Sequence, residues 1–242
     1  MKIFAIVEYL GTAYHGWQRQ NDEASVEEEI EKVLSKIFNK EIIIYASGRT
    51  DAGVHAKGQT FHFSVDKEVD LSRLLYSVNL LLPDDIHIKC FKEVSDDFHA
   101  RYSAKGKHYQ YLINTGDKNP FIFNRTLHFP FPFDLDIFKD CLSQFVGTHN
   151  FQDFTSKEED EDGFVRTISS IDVKVDGDIV IVDLIGNGFM RYMIRDIIGT
   201  SLAIARGKES RDFVQKHLDS KSREIVPHNA DSEGLYLIDV IY

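Results

Sequence analysis

The residues best placed for chemistry lie in one short segment, residues 45–63, with the sequence YASGRTDAGVHAKGQTFHF. Gly48 and Gly53 permit backbone conformations that a side chain would forbid, so they can push the residues between them out of a sheet. Those residues include Arg49 and Asp51. An aspartate beside a guanidinium can stay ionised in a partly dry pocket, because the positive charge offsets the desolvation of the carboxylate. Nucleophilic catalysis requires that ionised state, so the segment predicts a reactive loop.

A simpler interpretation of the same aspartate is an Asx turn ahead of Gly53, which is the usual reason for an Asp-x-Gly sequence in a loop. Three features favour the catalytic interpretation. Arg49 is two residues away, Val54 and Ala56 surround His55 with apolar bulk, and the loop occupies a place where the second half of the chain has only a three-residue turn.

A second stretch, FHARYSAKGKHYQY, mixes cations with aromatic residues on and just before a predicted strand. Its cations include Arg101, Lys105 and Lys107, and its strand carries Tyr109 and Tyr111. A surface that neutralises phosphates and stacks on bases needs both kinds of residue, so this mixture favours a nucleic-acid contact. An aromatic pair on one face of a sheet explains the two tyrosines equally well, so this stretch alone leaves both interpretations open.

A third stretch, GNGFMRYMIR, is predicted as a loop that opens a helix over residues 190–205. Arg191 and Arg195 are spaced i and i+4, which predicts one helical face for both. Phe189 and Met190 fit plain core packing, and the glycine pattern lacks the third glycine of a dinucleotide fingerprint. The ten histidines and two distant cysteines show no metal-ligand spacing, so we predict no metal site.

The overall charge argues against a nucleic-acid partner, whereas the distribution of charge is compatible with one. The chain has 39 acidic and 28 basic residues and a formal net charge of −11. Acidic residues concentrate in residues 22–31 and 158–162, and many arginines and lysines lie where acids are sparse. This pattern is compatible with a protein whose cleft is basic and whose surface away from the cleft is acidic.

The composition indicates a cytoplasmic protein. With 242 residues, 43% of them hydrophobic, the chain can build one large core or two small ones. Cys90 and Cys141 sit in apolar contexts, which favours buried free thiols and a reducing compartment. No apolar run approaches the roughly 18 to 20 residues of a membrane span, and Glu8 follows the first apolar residues too soon for a signal peptide. We therefore predict no membrane contact.

Hydrophobic periodicity predicts the order β-α-β-β-α-β twice. The predicted elements of the first half cover residues 1–9, 26–39, 42–46, 59–65, 71–82 and 86–91. Those of the second half cover residues 107–113, 135–145, 165–175, 179–185, 190–205 and 235–241. The predicted fold class is α+β, with two ferredoxin-like halves, residues 1–100 and 101–242, whose sheets meet at a central active-site cleft. The additions to this plan are surface insertions at 117–132 and 153–164 and a helix near 210–218.

These motifs together resemble a known family. The segment GRTDAGVHA, followed by Gln59, resembles the active-site signature of the TruA-type tRNA pseudouridine synthases. Further stretches resemble other motifs of that family in the same order along nearly the whole chain: YHGWQRQ, FHARYSAKGKHYQY, FVGTHNF, GNGFMRYMIR and GLYL. Three positions depart from the family pattern. Leu10 stands where aspartate is frequent, Met190 replaces the usual leucine, and the proline before the last strand is missing around Asp231.

The resemblance implies an isomerase that converts uridine to pseudouridine at positions 38 to 40 of the tRNA anticodon arm. Asp51 would be the catalytic nucleophile, and attack on the base and attack on the sugar both stay open. Tyr109 would stack on the flipped uracil and Arg195 would pair with Asp51. The residues expected to bind substrate are Arg49, Thr50, His55, Arg101, Lys105, Lys107, Phe189, Met190 and Arg191. The resemblance also implies a homodimer that binds tRNA and uses no metal or organic cofactor.

Two other functions compete with this interpretation. A catalytically inactive RNA-binding or tRNA-folding paralogue would keep the fold, but it has no obvious reason to keep the set of Arg49, Asp51, Tyr109 and Arg195. A carboxylate hydrolase acting on a nucleoside or sugar usually needs two carboxylates beside the bond that breaks, and no second acid is visibly placed near Asp51.

Overall fold

The computed structural model of the chain describes residues 1–158 and 163–242. The middle of the predicted acidic insertion, residues 159–162, lies outside the described residues. No helix within the described residues is long and apolar enough to cross a membrane.

The chain forms two compact units. The first consists of Met1–Lys105 together with Tyr236–Tyr242, and the second of Gly106–Leu235. Residues 101–105 and 236–242 belong to the predicted second half but group with the first unit. Both units combine helices with mostly antiparallel strands, which confirms the α+β class.

The helices and strands follow one another along the chain as follows. Those of the first unit are β1 (Lys2–Tyr9), α1 (Val26–Phe38), β2 (Tyr45–Ala46), β3 (His55–Ser64), α2 (Leu71–Leu81) and β4 (Ile86–Val94). Those that follow are β5 (Gly106–Asn114), β6 (Leu127–His128), α3 (Leu135–Ser143), β7 (Gly147–Asn150), β8 (Val165–Asp176), β9 (Ile179–Gly186), α4 (Met193–Ala205), α5 (Phe213–Leu218) and β10 (Leu235–Ile241).

Strand β1 lies in the centre of the first unit's sheet, antiparallel to β3 on one side and to β4 on the other. Apolar residues on both faces of β1 predicted this central position, which is confirmed. β2 pairs antiparallel with β3. β10 pairs parallel with β3, with Tyr236 and Leu237 opposite His55 and Ala56.

Helix α1 begins where the sequence predicts and ends one residue earlier. Its N-cap is Ser25, whose side-chain oxygen accepts a hydrogen bond from the Glu28 N–H, as expected for a capping box. Asn39 closes the helix in the left-handed conformation, with φ of 51°. The amphipathic pattern and the capping residues therefore indicate the same bounds for α1 to within one residue.

The strands beside the reactive loop differ from their predicted bounds. β2 covers only Tyr45–Ala46, and β3 begins at His55 rather than Gln59. Residues 42–44 stay outside a strand ladder because side chains of α1 satisfy their backbone. The Ile42 N–H donates to the Ser35 hydroxyl and the Ile44 N–H to the Glu31 carboxylate, both at 2.9 Å.

In the second unit, β9 pairs antiparallel with β5 and with β8, and β8 pairs antiparallel with β7. The β8–β9 hairpin turns at residues 176–178, as predicted. The short strands β6 and β7 were not predicted, because two or four residues show too little alternation to identify a strand. β6 lies within the insertion at residues 117–132 and pairs parallel with β5.

Helix α4 begins at Met193, three residues later than predicted. Tyr192 has φ of 66°, a left-handed conformation that an α-helix does not contain, so the helix cannot start before it. The two cysteines are free, as predicted. Cys141 on α3 is buried, and burial raises the pKa of its thiol to about 11, whereas Cys90 is only half-buried.

Candidate active site

The predicted reactive loop, residues 47–54, connects β2 to β3 and is called the Asp loop below. Its side chains differ in exposure: Arg49 is exposed, Asp51 is half-buried, and Thr50 between them is buried. Thr50 therefore points into the first unit, whereas Asp51 is partly covered and Arg49 is open to solvent. This is the arrangement that a nucleophile on a supported loop needs.

The backbone of the Asp loop is fixed by the segment that follows β1. The Trp17 N–H donates to the Thr50 carbonyl at 3.1 Å, and the Gly53 N–H donates to the Tyr14 carbonyl at 3.3 Å. Gly16 lies against the loop with φ of 99°, and a Cβ on Gly16 would come within 2.7 Å of the Thr50 carbonyl oxygen. A glycine is therefore required for the two segments to come this close.

His55 supports the base of the Asp loop from inside the first unit. Its Nδ1 accepts a hydrogen bond from the Gly11 N–H at 2.9 Å, so this nitrogen carries no proton. The ring lies 4.6 Å from the Tyr236 ring and is 1% exposed. A Cβ on Gly11 would collide with the Val54 carbonyl, so Gly11 must also stay small. Substrate binding by His55 stays a prediction.

Two buried side chains hold the loop from beneath. The Tyr9 hydroxyl and the Thr50 Oγ1 are 2.7 Å apart. Burial raises the pKa of Tyr9, and hydrogen bonds to Thr50 and Gln59 oppose that rise. The Gln59 amide donates to the Gly48 carbonyl at 2.9 Å and accepts from the Ser47 hydroxyl at 2.8 Å. Uncharged groups thus fix the start and the middle of the loop.

In the second unit, Tyr109 and Phe189 lie together. Tyr109 is buried on β5, and its ring meets the Phe189 ring edge-on at 5.3 Å. Phe189 is half-buried and Met190 is 6% exposed. The edge-to-face pair, with Met190 next to Phe189 in the chain, forms an apolar aromatic cluster in the second unit.

Arg191 and Arg195 flank one aromatic ring. The guanidinium carbons of Arg191 and Arg195 lie 4.9 and 4.8 Å from the centre of the Tyr192 ring. The prediction that both arginines share one helical face is wrong, because Arg191 precedes α4. The left-handed backbone of Tyr192 instead places its ring where both cations contact it. Arg195 Nε also donates to the Ala230 carbonyl at 2.6 Å.

A model of the tRNA pseudouridine synthase family matches residues 5–103 and 142–242. The chain belongs to this family. It is therefore an enzyme, an isomerase. The match leaves out residues 1–4 and 104–141, and the second of these ranges contains the predicted insertion at 117–132.

Several relatives of nearly the same length as this chain have the same name, tRNA pseudouridine synthase A. The chain is 38% identical to tRNA pseudouridine synthase A of Streptococcus uberis, over 98% of this chain and 97% of the relative. It is 38% identical to tRNA pseudouridine synthase A of Acetivibrio thermocellus, over 98% of each chain. It is 37% identical to the protein of the same name from Aliivibrio salmonicida, over 100% of this chain and 93% of the relative.

The segment before β8 contacts the backbone that leads into α4. The Thr155 hydroxyl donates to the Arg191 carbonyl at 2.9 Å. That segment is tied down by Arg223, which donates to the Thr155 carbonyl at 3.1 Å, and by a buried contact of 2.8 Å between Asp153 and His217. The backbone that leads into α4 is therefore supported from behind.

The predicted basic residues of the tract FHARYSAKGKHYQY divide between the two units. Arg101 and Lys105 are exposed residues of the first unit, and Lys107 is a half-buried residue of β5 in the second. The structure thus brings Arg49, Thr50 and the catalytic candidate Asp51 together in one loop, and places Arg101 and Lys105 elsewhere on the same unit.

Several residues of this synthase were missed as parts of the site. Tyr9, Gly11 and Gly16 support the Asp loop, and Tyr192 orients two arginines. From the sequence, Tyr9 is predicted only as a strand residue and Gly16 only as part of a motif. Two glycines shortly after a buried strand were the available signal, because the close approach of two backbones needs glycine. The left-handed conformation of Tyr192 has no signal in the sequence.

Proposed function

We propose that this chain converts uridine to pseudouridine in the anticodon arm of tRNA, at positions 38 to 40, with Asp51 as the nucleophile. The observation that carries the proposal is the Asp loop. Its backbone is fixed from two sides, and its half-buried carboxylate is presented beside an exposed arginine. The shared name of its relatives, tRNA pseudouridine synthase A, supports tRNA as the substrate.

The reaction needs few groups. The bond between N1 of uracil and C1′ of ribose breaks, the base turns, and a bond forms between C5 and C1′. The proton on C5 leaves and N1 gains a proton, so the product is an isomer of the substrate. A carboxylate can add to the base or to the sugar and leave again, because no atom is transferred elsewhere. Both points of attack by Asp51 stay open.

The remaining roles follow from the side chains. Tyr109, paired with Phe189 beside Met190, offers a ring and an apolar wall for a base removed from its stack. Arg195 is assigned to pair with Asp51. Phosphates of the anticodon arm are assigned to the cations Arg49, Arg101, Lys105, Lys107 and Arg191.

The finer features of the predicted fold belong to the same proposal. The order β4-β1-β3-β2 in the first unit is that of a ferredoxin-like sheet, and β5-β9-β8 repeats its last three positions in the second. We assign these units to the two predicted ferredoxin-like halves. A homodimer acting on tRNA in the cytoplasm completes the proposal.

The test is tritium release from tRNA labelled at C5 of uridine, with the wild type and Asp51→Asn in parallel. The wild type should release tritium, because C5 loses its hydrogen when it bonds to C1′. Asp51→Asn should slow release by about three orders of magnitude or more, since the amide is no nucleophile. The affinity of this variant for tRNA, measured by filter binding, should stay close to that of the wild type.

Three outcomes would change the proposal. Wild-type rates in Asp51→Asn would remove Asp51 from the mechanism. Tight tRNA binding without tritium release from any tRNA would favour the inactive RNA-binding paralogue. Release from a tRNA whose uridines at positions 38 to 40 are replaced by cytidine would place the modified uridine elsewhere.

A further inference from the structure

A row of aromatic rings lies on the first unit, starting at Tyr45 on the strand that leads into the Asp loop. Its members, called the aromatic ladder below, are Tyr45, His62, His99 and Tyr102. Tyr45 stacks on His62, with ring centres 5.3 Å apart and an angle of 26° between the rings. His62 meets His99 at 4.6 Å, and His99 meets Tyr102 at 4.4 Å. The four rings therefore form one continuous set of contacts.

The two ends of the aromatic ladder are open and its middle is fixed. Tyr45 is 51% exposed and Tyr102 is 77% exposed, whereas His62 is 5% exposed. The Ala100 N–H donates to His62 Nδ1, and the Arg101 N–H donates to His99 Nδ1, each at 3.2 Å. Backbone groups thus hold both imidazoles, so an added ring at either end would meet a preorganised surface.

The charge of the aromatic ladder suits a nucleobase. Burial lowers the pKa of His62 to about 4, and burial together with Lys2 and Arg101 lowers the pKa of His99. Both imidazoles are therefore neutral near pH 7 and add no charge to the stack. One cation stands at the open end, where the Arg101 guanidinium lies 5.7 Å from the centre of the Tyr102 ring. Flat neutral rings beside a guanidinium form the combination that binds unpaired bases and their phosphates.

The aromatic ladder lies well away from Asp51. Tyr45 pairs with His62 near the end of β3, whereas Thr50, next to Asp51, contacts Tyr9, which is paired with Ala56 near the start of β3. Six residues of strand at about 3.3 Å each separate Ala56 from His62, which is roughly 20 Å. A single nucleotide cannot contact both places, so the aromatic ladder is a second contact for an extended ligand.

We propose that the aromatic ladder binds an unpaired base of tRNA by stacking on Tyr102, its more exposed end, while Arg101 contacts the adjoining phosphate. This inference rests on the proposed function for its choice of tRNA as the partner. Its role is to position the substrate: it strengthens binding and takes no part in bond rearrangement.

The test compares Tyr102→Leu with Tyr76→Leu. Tyr76 is a matched control, because it is 71% exposed on α2 of the same unit and outside the aromatic ladder. The dissociation constant for unmodified tRNA, and the kcat and KM for tritium release, are measured for both variants. Tyr102→Leu should weaken binding and raise KM roughly fivefold to tenfold with kcat unchanged, since a base–aromatic stack is lost. Tyr76→Leu should match the wild type.

Salt dependence separates stacking from phosphate contact. Tyr102→Leu should lower the affinity without changing the slope of affinity against salt concentration. Arg101→Gln should lower that slope by about one, because one phosphate contact is lost. Tyr102→Phe keeps the ring and should bind as the wild type does, which shows that the effect of Tyr102→Leu comes from the lost ring.

Equal tRNA affinity of Tyr102→Leu and Tyr76→Leu would overturn the inference and leave the proposed function intact. A changed oligomeric state of Tyr102→Leu with unchanged tRNA affinity would also overturn it, by assigning the surface to a protein contact. If the wild type binds tRNA but releases no tritium, the proposed function fails, and the comparison of affinities still decides the role of the aromatic ladder.

Discussion

The Asp loop of the first unit and the start of α4 in the second hold their candidate groups by different means. The Asp loop is fixed by uncharged groups and by close backbone contacts, and Tyr9, Thr50, His55 and Gln59 are all buried. The arginines at α4 contact the partly exposed ring of Tyr192 and, for Arg195, a backbone carbonyl. The backbone of the Asp loop is therefore held rigidly, whereas the arginines at α4 have long side chains that can change conformation.

The difference matches what each region is assigned to do. A nucleophile must sit within a fraction of an ångström of the atom it attacks, and misplacement by about 1 Å can cost on the order of 100-fold in rate. A guanidinium acts over a longer range and through several donors, so small displacements weaken it less. We therefore expect substitutions under the Asp loop to affect turnover more than substitutions beside α4.

Among substitutions of the residues that support the two regions, the largest effect should come from Gly16→Ala. The new Cβ would lie 2.7 Å from the Thr50 carbonyl oxygen, and the backbone at φ of 99° is unfavourable for alanine. We expect a loss of about 2 to 4 kcal/mol in the free energy of unfolding and roughly 100-fold in kcat for tritium release. Urea unfolding and single-turnover kinetics measure the two effects.

Gly177→Ala is the control for backbone conformation alone. Gly177 has φ of 57°, and a Cβ there would meet nothing within 4 Å. It lies in the β8–β9 turn, so the substitution should cost about 1 kcal/mol of stability and leave kcat unchanged. If Gly16→Ala also leaves kcat unchanged, the tight contact with Thr50 has no part in positioning Asp51.

A smaller effect is expected from Tyr9→Phe, which removes one hydroxyl from beneath the Asp loop. Thr50 would lose its partner at 2.7 Å, and we expect about 1 to 2 kcal/mol of destabilisation with roughly a tenfold loss in kcat. KM should not change, because the hydroxyl is buried. The matched control is Tyr242→Phe, which removes a hydroxyl 2.6 Å from Thr60 in the same unit. Similar losses of kcat in both variants would mean that stability, not loop position, sets the rate.

The sequence predicted most of this fold because its strands and helices carry clear periodic patterns. The central strand β1, the capped helix α1 and the β8–β9 hairpin follow from alternation, a capping box and a turn. The Asp loop was identified because its two glycines, its arginine and its aspartate stand close together in the chain. Local signals were sufficient wherever the residues that act together are also neighbours in sequence.

The parts that sequence reasoning missed depend on distant contacts. Residues 42–44, three consecutive isoleucines, were predicted as part of a strand, but side chains of Glu31 and Ser35 accept hydrogen bonds from their backbone instead. Arg191 and Arg195 were assigned to one helical face, and the left-handed Tyr192 between them could not be foreseen, since bulky residues rarely adopt that conformation. Hydrogen bonds from backbone N–H groups to distant side chains, and local backbone strain, both arise only when the tertiary structure has formed.

The smallest effect should come from Tyr192, the ring between the two arginines. Tyr192→Leu removes both cation–aromatic contacts but keeps a Cβ, so the cost of the left-handed backbone stays the same. Each such contact contributes about 0.5 to 1 kcal/mol at a partly exposed position. We expect kcat/KM for tritium release to fall roughly fivefold. Tyr192→Phe keeps the ring and should retain most of the activity.

The control for Tyr192→Leu is another cation–aromatic contact in the same unit. The Arg206 guanidinium carbon lies 4.4 Å from the centre of the Phe131 ring, so Phe131→Leu removes a comparable contact away from the candidate site. It should change stability to a similar extent and leave kcat/KM unchanged. A loss of several hundredfold in Tyr192→Leu would show that α4 is as intolerant as the Asp loop. The two regions would then position their groups with the same precision by different contacts. Flexibility of the arginine side chains would no longer explain why the contacts differ.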